Sequence, residues 1–209
     1  MSSEPSSRRR PERPSGSVRA PDETRARILD AAARVYARLG YQGCTTRLIA
    51  TEAGVNEVTL FRLFGSKDSL LDTAIQQSAP ASTPSALPAS PRDPAAELTA
   101  WCAVEIDRLR ASRVLLRRCF AEEPEHPDHV RHAALPMERV AAELRAYLRR
   151  AGLVDGVSPR GREDAAIAML ISALLADALG RDTMQGVFPD PVEDAPARYV
   201  ETFLAALGG

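Results

Sequence analysis

Thr45–Lys67 reads TTRLIATEAGVNEVTLFRLFGSK. Two short apolar patterns lie on either side of Gly54. In the first, Thr45 is a good N-cap, and Leu48, Ile49 and Ala53 fall on one helical face. In the second, Asn56 is the N-cap, Leu60, Phe61 and Phe64 face inward, and Gly65 closes the segment. Gly54 can take a positive φ, which a sharp turn between helices needs. Val55 anchors that turn, and Ala50 is small where the two helices should cross closely. Each segment spans about two turns, too few to be stable alone. Together they predict a helix-turn-helix whose second helix is free to enter a DNA major groove.

Upstream, Asp22 reads as an N-cap, followed by Ile28, Leu29, Ala32, Val35, Tyr36 and Leu39 at helical spacing, with Gly40 as the stop. Residues 1–21 are rich in Ser, Pro and Arg and predict a disordered basic tail. Downstream, a short helix follows around Lys67–Gln77. The expected domains are a DNA-binding unit over 22–78, a Pro- and Ser-rich linker over 79–94, and a second domain over 95–209.

The second domain also reads as helices. Leu98, Trp101, Cys102, Ile106 and Leu109 form a stripe within Ala95–Ala111. Ser112 caps a segment to Glu123. Pro127 opens one that reaches Ala151, with a candidate break at Pro136, and Gly152 ends it. Arg162–Leu179 is apolar nearly all round and Gly180 ends it. Ala195, Tyr199, Val200, Phe203, Leu204 and Leu207 make a 3/4 stripe. An all-round apolar helix needs cover on several sides. The last two helices therefore predict a homodimer interface through Leu170, Leu174, Asp177, Tyr199, Phe203 and Leu207. Ala, Leu and Arg are plentiful and alternating strand patterns are missing, so the expected class is all-α.

The net charge of −1 over 209 residues hides a gradient. Residues 1–21 carry +3, residues 22–72 are neutral, and the remainder carries −4. A polyanion should meet the N-terminal part. Cys44, Cys102 and Cys119 are scattered without a CxxC, which suits reduced thiols in a cytoplasmic protein. The Arg-rich start, followed by polar residues and Pro, does not read as a signal peptide, and Asp177 cuts the apolar run Ala165–Ala176 short of a membrane span. No G-x-S-x-G, phosphate loop or H-E-x-x-H occurs, so no enzyme chemistry and no cofactor is expected.

On the helix-turn-helix, Thr45 and Thr46 at a helix N-terminus can hold a phosphate, as can Lys67 and Arg62. Base reading falls to Glu57, Val58 and Thr59, while Arg47 can fork onto guanine. Glu57 is odd beside a polyanion: it accepts from a cytosine amine or it caps the helix.

Asp22–Asp72, about a quarter of the chain, resembles the N-terminal domain of the TetR family of transcriptional regulators. The carrying residues are TRARILDAAARVYARLGYQGCTT and RLIATEAGVNEVTLFRLFGSKDSLL. The resemblance implies an all-helical homodimer of about nine helices per chain. It implies a repressor released from a palindromic operator by a small molecule, with an activator or a protein-binding adaptor as alternatives. It also implies Thr46 and Lys67 on phosphates, with Arg47, Glu57, Val58, Thr59 and Phe61 at the groove. Leu63 departs from the family, which often has His there.

Two further clusters stand out. His129 and His132 lie three apart and could share a transition metal, although a solvated helix start explains them as well. Trp101, Cys102, Glu105, Leu109, Cys119, Phe120, Met137 and Tyr147 are the expected lining of a mostly apolar effector pocket, and core packing is the alternative for each apolar member.

Overall fold

The computed structural model describes residues 19–78, 87–154 and 160–208. They form nine α-helices and no strand: α1 Arg19–Gly43, α2 Thr46–Ala53, α3 Glu57–Phe64, α4 Lys67–Ser78, α5 Pro94–Ala111, α6 Arg113–Ala121, α7 Pro127–Arg150, α8 Arg160–Gly180 and α9 Ala195–Gly208. The all-helical expectation holds among the described residues. None of their helices is long and apolar enough to cross a membrane.

Helices α1 to α4 pack around Ile28, Tyr36, Ile49, Leu60, Leu70 and Leu71, each fully buried. Helices α5 to α9 pack around Leu98, Trp101, Ile106, Leu144, Tyr147 and Leu148. The two groups are joined where α1 meets α6 and where α4 meets α7.

Several local expectations change. Asp22 is not the N-cap, because α1 already begins at Arg19 and holds Pro21 in its first turn, where proline is tolerated. Ser112 makes no side-chain cap for α6; its hydroxyl donates to the Ser78 carbonyl at 3.2 Å and ties the end of α4 to the α5–α6 turn. Pro136 does not break α7, which runs through it with Val140, Leu144, Tyr147 and Leu148 buried beyond. One lost backbone bond is outweighed by that packed face. Of the linker, 79–86 lies outside the described residues; α5 starts at Pro94, with Asp93 accepting from the Ala96 amide at 3.1 Å. Of the basic tail, residues 1–18 lie outside them too.

Gly40 does end the regular part of α1, at φ 69°, and one more turn follows it to Gly43. A side chain at Gly40 would also collide with α6, since a Cβ there would lie 2.1 Å from Glu122 Oε1. Both carboxylate oxygens of Glu122 accept the Tyr41 amide, at 3.1 Å each. The helix end is thus shaped to seat a carboxylate from the second helical group.

Candidate nucleic-acid interface

The site begins with two capped helices. The Thr45 side chain accepts from the Leu48 amide at 3.2 Å and opens α2; Asn56 Oδ1 accepts from the Val58 amide at 2.9 Å and opens α3. Gly54 sits between them at φ 65°, ψ 40°, the left-handed conformation that lets the chain reverse in so few residues. The Val55 amide donates to the Ala50 carbonyl at 3.0 Å, which fixes the turn.

One face of α3 is core, with Leu60 and Phe64 buried. The opposite face is open. Val58 is 73% exposed and Phe61 45%, with Arg47 and Arg62 exposed nearby. Phe61 is therefore not the inward residue that its spacing predicts; α3 turns it outward, onto the side that carries Val58. Thr59 and Glu57 are half-buried, and Asn56 and Thr45 are exposed. Leu63 packs partly against the core, and its carbonyl faces the Arg25 guanidinium. The same guanidinium lies 4.6 Å from the centre of the Phe64 ring.

Two expected phosphate contacts are already engaged within the chain. The Thr46 hydroxyl donates to Glu57 Oε1 across the α2–α3 angle. Lys67 donates to the Tyr41 carbonyl and lies 3.7 Å over the Tyr41 ring. Thr46 then has only its amide, at the free N-terminus of α2, to offer an anion. Glu57 does not cap α3, because Asn56 fills that role.

Glu52 braces the unit from behind. Arg34 and Arg38 on α1 reach it at 3.0 and 2.9 Å, and these hydrogen bonds, Arg38 first, hold its carboxyl below the usual range. Sequence reasoning missed this clamp. Arg34 and Arg38 share a helix face four apart, but nothing local links them to a residue on α2.

The joint to the second helical group is aromatic. The Tyr41 ring lies 3.9 Å from His126, which stacks on His129 at 5.0 Å, and His129 meets Tyr36 edge-on at 5.1 Å. His129 Nδ1 lies 3.1 Å from the Tyr36 hydroxyl, and His132 Nδ1 lies 3.0 Å from Asp72 Oδ1. Burial, then the neighbouring His126, pushes the His129 pKa down. Among the described residues no three His, Cys, Asp or Glu side chains are grouped to hold a metal. His129 and His132 instead bridge α7 to α1 and α4.

Most of the expected effector residues pack against other side chains. Trp101, Cys102, Leu109, Cys119 and Tyr147 are buried in the packed core, Met137 is partly buried against it, and Phe120 is 46% exposed. Phe120 is therefore corrected to a surface residue: the helix turns it away from the stripe that Leu116 and Cys119 bury. Glu105 is 4% exposed and accepts from Arg108 at 2.6 Å; burial raises its pKa, opposed by that guanidinium. Trp101 Nε1 is buried without an acceptor among the described residues. Burial pushes the thiols of Cys44 and Cys119 up to about 11 and that of Cys102 to about 12, so all three are protonated, unreactive core groups.

The expected dimer residues divide. Tyr199 and Leu207 are half-buried, but Leu170, Leu174, Phe203 and Asp177 are buried within the chain itself. Asp177 is a corrected case. It accepts from Arg110 at 3.0 Å, Arg181 at 2.8 Å and Tyr199 at 2.8 Å, joining α5, α8 and α9. The outward side of α8 is instead Ala165, Ala168, Met169, Ser172 and Ala176. Beside it a cavity of about 350 Å³ opens between α8 and α9, lined by Met169, Ala173, Tyr199, Thr202 and Ala206 among others.

Residues 28–74 match the family described as bacterial regulatory proteins, tetR family. The chain is 43% identical over 54 residues to a Bacillus subtilis (strain 168) protein described as the uncharacterized HTH-type transcriptional regulator YvkB. That alignment covers 26% of this chain and 29% of YvkB. The fold as a whole is similar to that of a Mesorhizobium loti MAFF303099 protein assigned to the TetR family of transcriptional regulators, with a TM-score of 0.68 and 20% identity over 90% of this chain and 96% of that one. It is also similar to the TetR-family transcriptional regulator PfmR of Thermus thermophilus, with a TM-score of 0.58 and 21% identity over 86% and 97% of the two chains.

Proposed function

We propose that the chain, whose residues 28–74 match the tetR family of bacterial regulatory proteins, is a cytoplasmic transcriptional repressor of that family. It binds a palindromic operator as a homodimer and leaves it when a small, mostly hydrophobic effector binds. One observation carries the DNA-binding part: α3 is capped and packed on one face, yet presents Val58, Phe61 and Arg62 openly on the other. A helix with a fixed back and an exposed apolar and cationic front suits thymine methyls, base edges and phosphates. The α2 N-terminus with Thr45 and Thr46, and Lys67 at the start of α4, set the register on the backbone. Arg47 supplies the fork for guanine.

The outward Ala165, Ala168, Met169, Ser172 and Ala176 stripe supports dimerisation through α8 and α9, since Met169 is 66% exposed on a small-residue face that lets a second helix approach closely. The α1–α6 and α4–α7 joints support a coupling between effector and reading head. Repacking of α6 or α7 around a ligand moves Glu122 and His126, and with them Gly40 and Tyr41. The effect is a population shift between spacings of the two heads. The unpartnered Trp101 Nε1 is the polar handle for an effector that opens the core beside it.

The test is selection from random duplexes with the full chain, followed by footprinting of the upstream intergenic DNA. An inverted repeat with half-sites about one helical turn, or slightly more, apart is expected. Absence of any sequence preference refutes the reading. Operator position relative to the promoter separates repressor from activator, and retention of regulation when the operator is replaced favours an adaptor. Trp101 is the only tryptophan, so its fluorescence reports effector binding directly.

A further inference from the structure

Glu57 is the first residue of α3 and lies on the surface assigned to DNA. A carboxylate beside phosphates is repelled by them, so its presence there needs a reason. Capping is not that reason: Asn56 Oδ1 takes the Val58 amide at 2.9 Å, and Glu57 bonds no backbone amide. Neutralising a cation is not the reason either, because no ion pair joins Glu57 to Arg47, Arg62 or Lys67 among the described residues. One oxygen, Oε1, accepts the Thr46 hydroxyl; Oε2 accepts from no described residue. The bond to Thr46 ties the side chain to the N-terminus of α2 and leaves Oε2 without a donor among the described residues.

We propose that Glu57 is a base-specifying residue that selects cytosine in each half-site, held in position by Thr46. The proposal rests on the DNA-binding reading above and names what one residue of that surface recognises. An ionised carboxylate only accepts hydrogen bonds. In the major groove the exocyclic donors are N4–H₂ of cytosine and N6–H₂ of adenine. Adenine carries the N7 acceptor beside its amine, which repels a carboxylate, whereas cytosine has no acceptor on its groove edge. Guanine, with O6 and N7, and thymine, with O4, offer only acceptors. Glu57 therefore attracts cytosine and, more strongly, rejects guanine. Val58, one residue on and open to solvent, is placed for apolar contact with a neighbouring thymine methyl. Thr46 is a positioning residue: its hydroxyl donates a hydrogen bond to Glu57, so only its amide is left for the phosphate.

The experiment is selection from a random duplex library with the full chain, in wild-type form and as Glu57→Gln, Glu57→Asp, Thr46→Val and Thr46→Ser. Thermal melting of each variant checks that it is folded. The wild type is expected to return one cytosine-dominated position per half-site. Glu57→Gln should lose between about five- and 150-fold of its discrimination there and gain adenine, which a side-chain amide reads on N6 and N7. The other positions should keep their preferences. Glu57→Asp should still reject guanine at that position. Thr46→Val should flatten that position alone, which the loss of a purely structural brace would not do, and Thr46→Ser, which keeps the hydroxyl, should restore it. An unchanged base profile in Glu57→Gln, or a loss spread evenly over the whole site, overturns the proposal while leaving the DNA-binding reading intact. Should Glu57→Gln fail to fold, Glu57→Asp tolerating guanine overturns it equally. A wild-type chain that selects no sequence removes both readings together.

Discussion

Replacing Gly40 with alanine tests how the reading head is seated on the second helical group. Two separate costs arise. At φ 69° and ψ −177° the backbone is in a region that essentially only glycine adopts, and any residue with a Cβ is strained there by about 1–3 kcal/mol. The new Cβ would also lie 2.1 Å from Glu122 Oε1, so the carboxylate must leave. Its departure breaks the bonds from the Tyr41 amide, each 3.1 Å long, and a hydrogen bond to a charged group contributes about 1.5–3 kcal/mol. The expected destabilisation of Gly40→Ala is therefore about 3–6 kcal/mol. The two costs separate in a double-mutant cycle with Glu122→Ala, read by urea denaturation. Where Glu122 is already absent, Gly40→Ala should cost only the backbone strain of about 1–3 kcal/mol. An equal cost in both backgrounds would refute the steric argument and leave the conformation of Gly40 as the whole reason for glycine.

Asp177→Ala should destabilise the chain by about 3 kcal/mol in the same denaturation assay, because Arg110 and Arg181 lose a fully buried counter-ion. Burial opposes ionisation of Asp177, but hydrogen bonds from Arg181, Tyr199 and Arg110 outweigh it and its pKa is lowered; Tyr199→Phe should cost about 1 kcal/mol. The folded-state pKa of His129 is depressed, so its contribution is fully present above the ordinary histidine value of about 6.5 and is lost as pH falls through the folded-state value. Melting temperature should drop over that window and drop less in His129→Gln; an equal drop in both would remove His129 as the cause. The three thiols should react with a disulfide reagent at pH 8 only as fast as the chain opens, and at once in denaturant; rapid labelling of the native protein would contradict their burial.

What could be read without coordinates was local. The caps Thr45 and Asn56, the turn glycine Gly54 and the stop at Gly40 each act within four residues of themselves, so the chain order alone reveals them. Helical spacing likewise separated core from surface for most positions, because 3.6 residues per turn is a property of the backbone. It failed at Phe61 and Phe120, where a broad apolar stripe has an edge and spacing cannot say on which side of it a ring falls. It failed too at Asp177, which sequence placed between subunits and the fold places inside one.

The interactions that make the site specific are of another kind. Glu122 meets Tyr41 from 81 residues away, His129 meets Tyr36 from 93, Asp177 meets Arg110 from 67, and Thr46 meets Glu57 across the turn. A cavity is harder still, since it is the gap left when side chains have packed; of the residues named from their stripe, Trp101, Cys102, Leu109, Cys119 and Tyr147 pack in the core, while Phe120 lies at the surface. The sequence by itself determined the helices and the caps and turn of the Thr45–Lys67 stretch, because those depend on hydrogen bonds and periodicity within a turn or two. Only the tertiary structure decided which carboxylate holds which partner, because charge and hydrogen bonding act through space and the chain's order does not record distance.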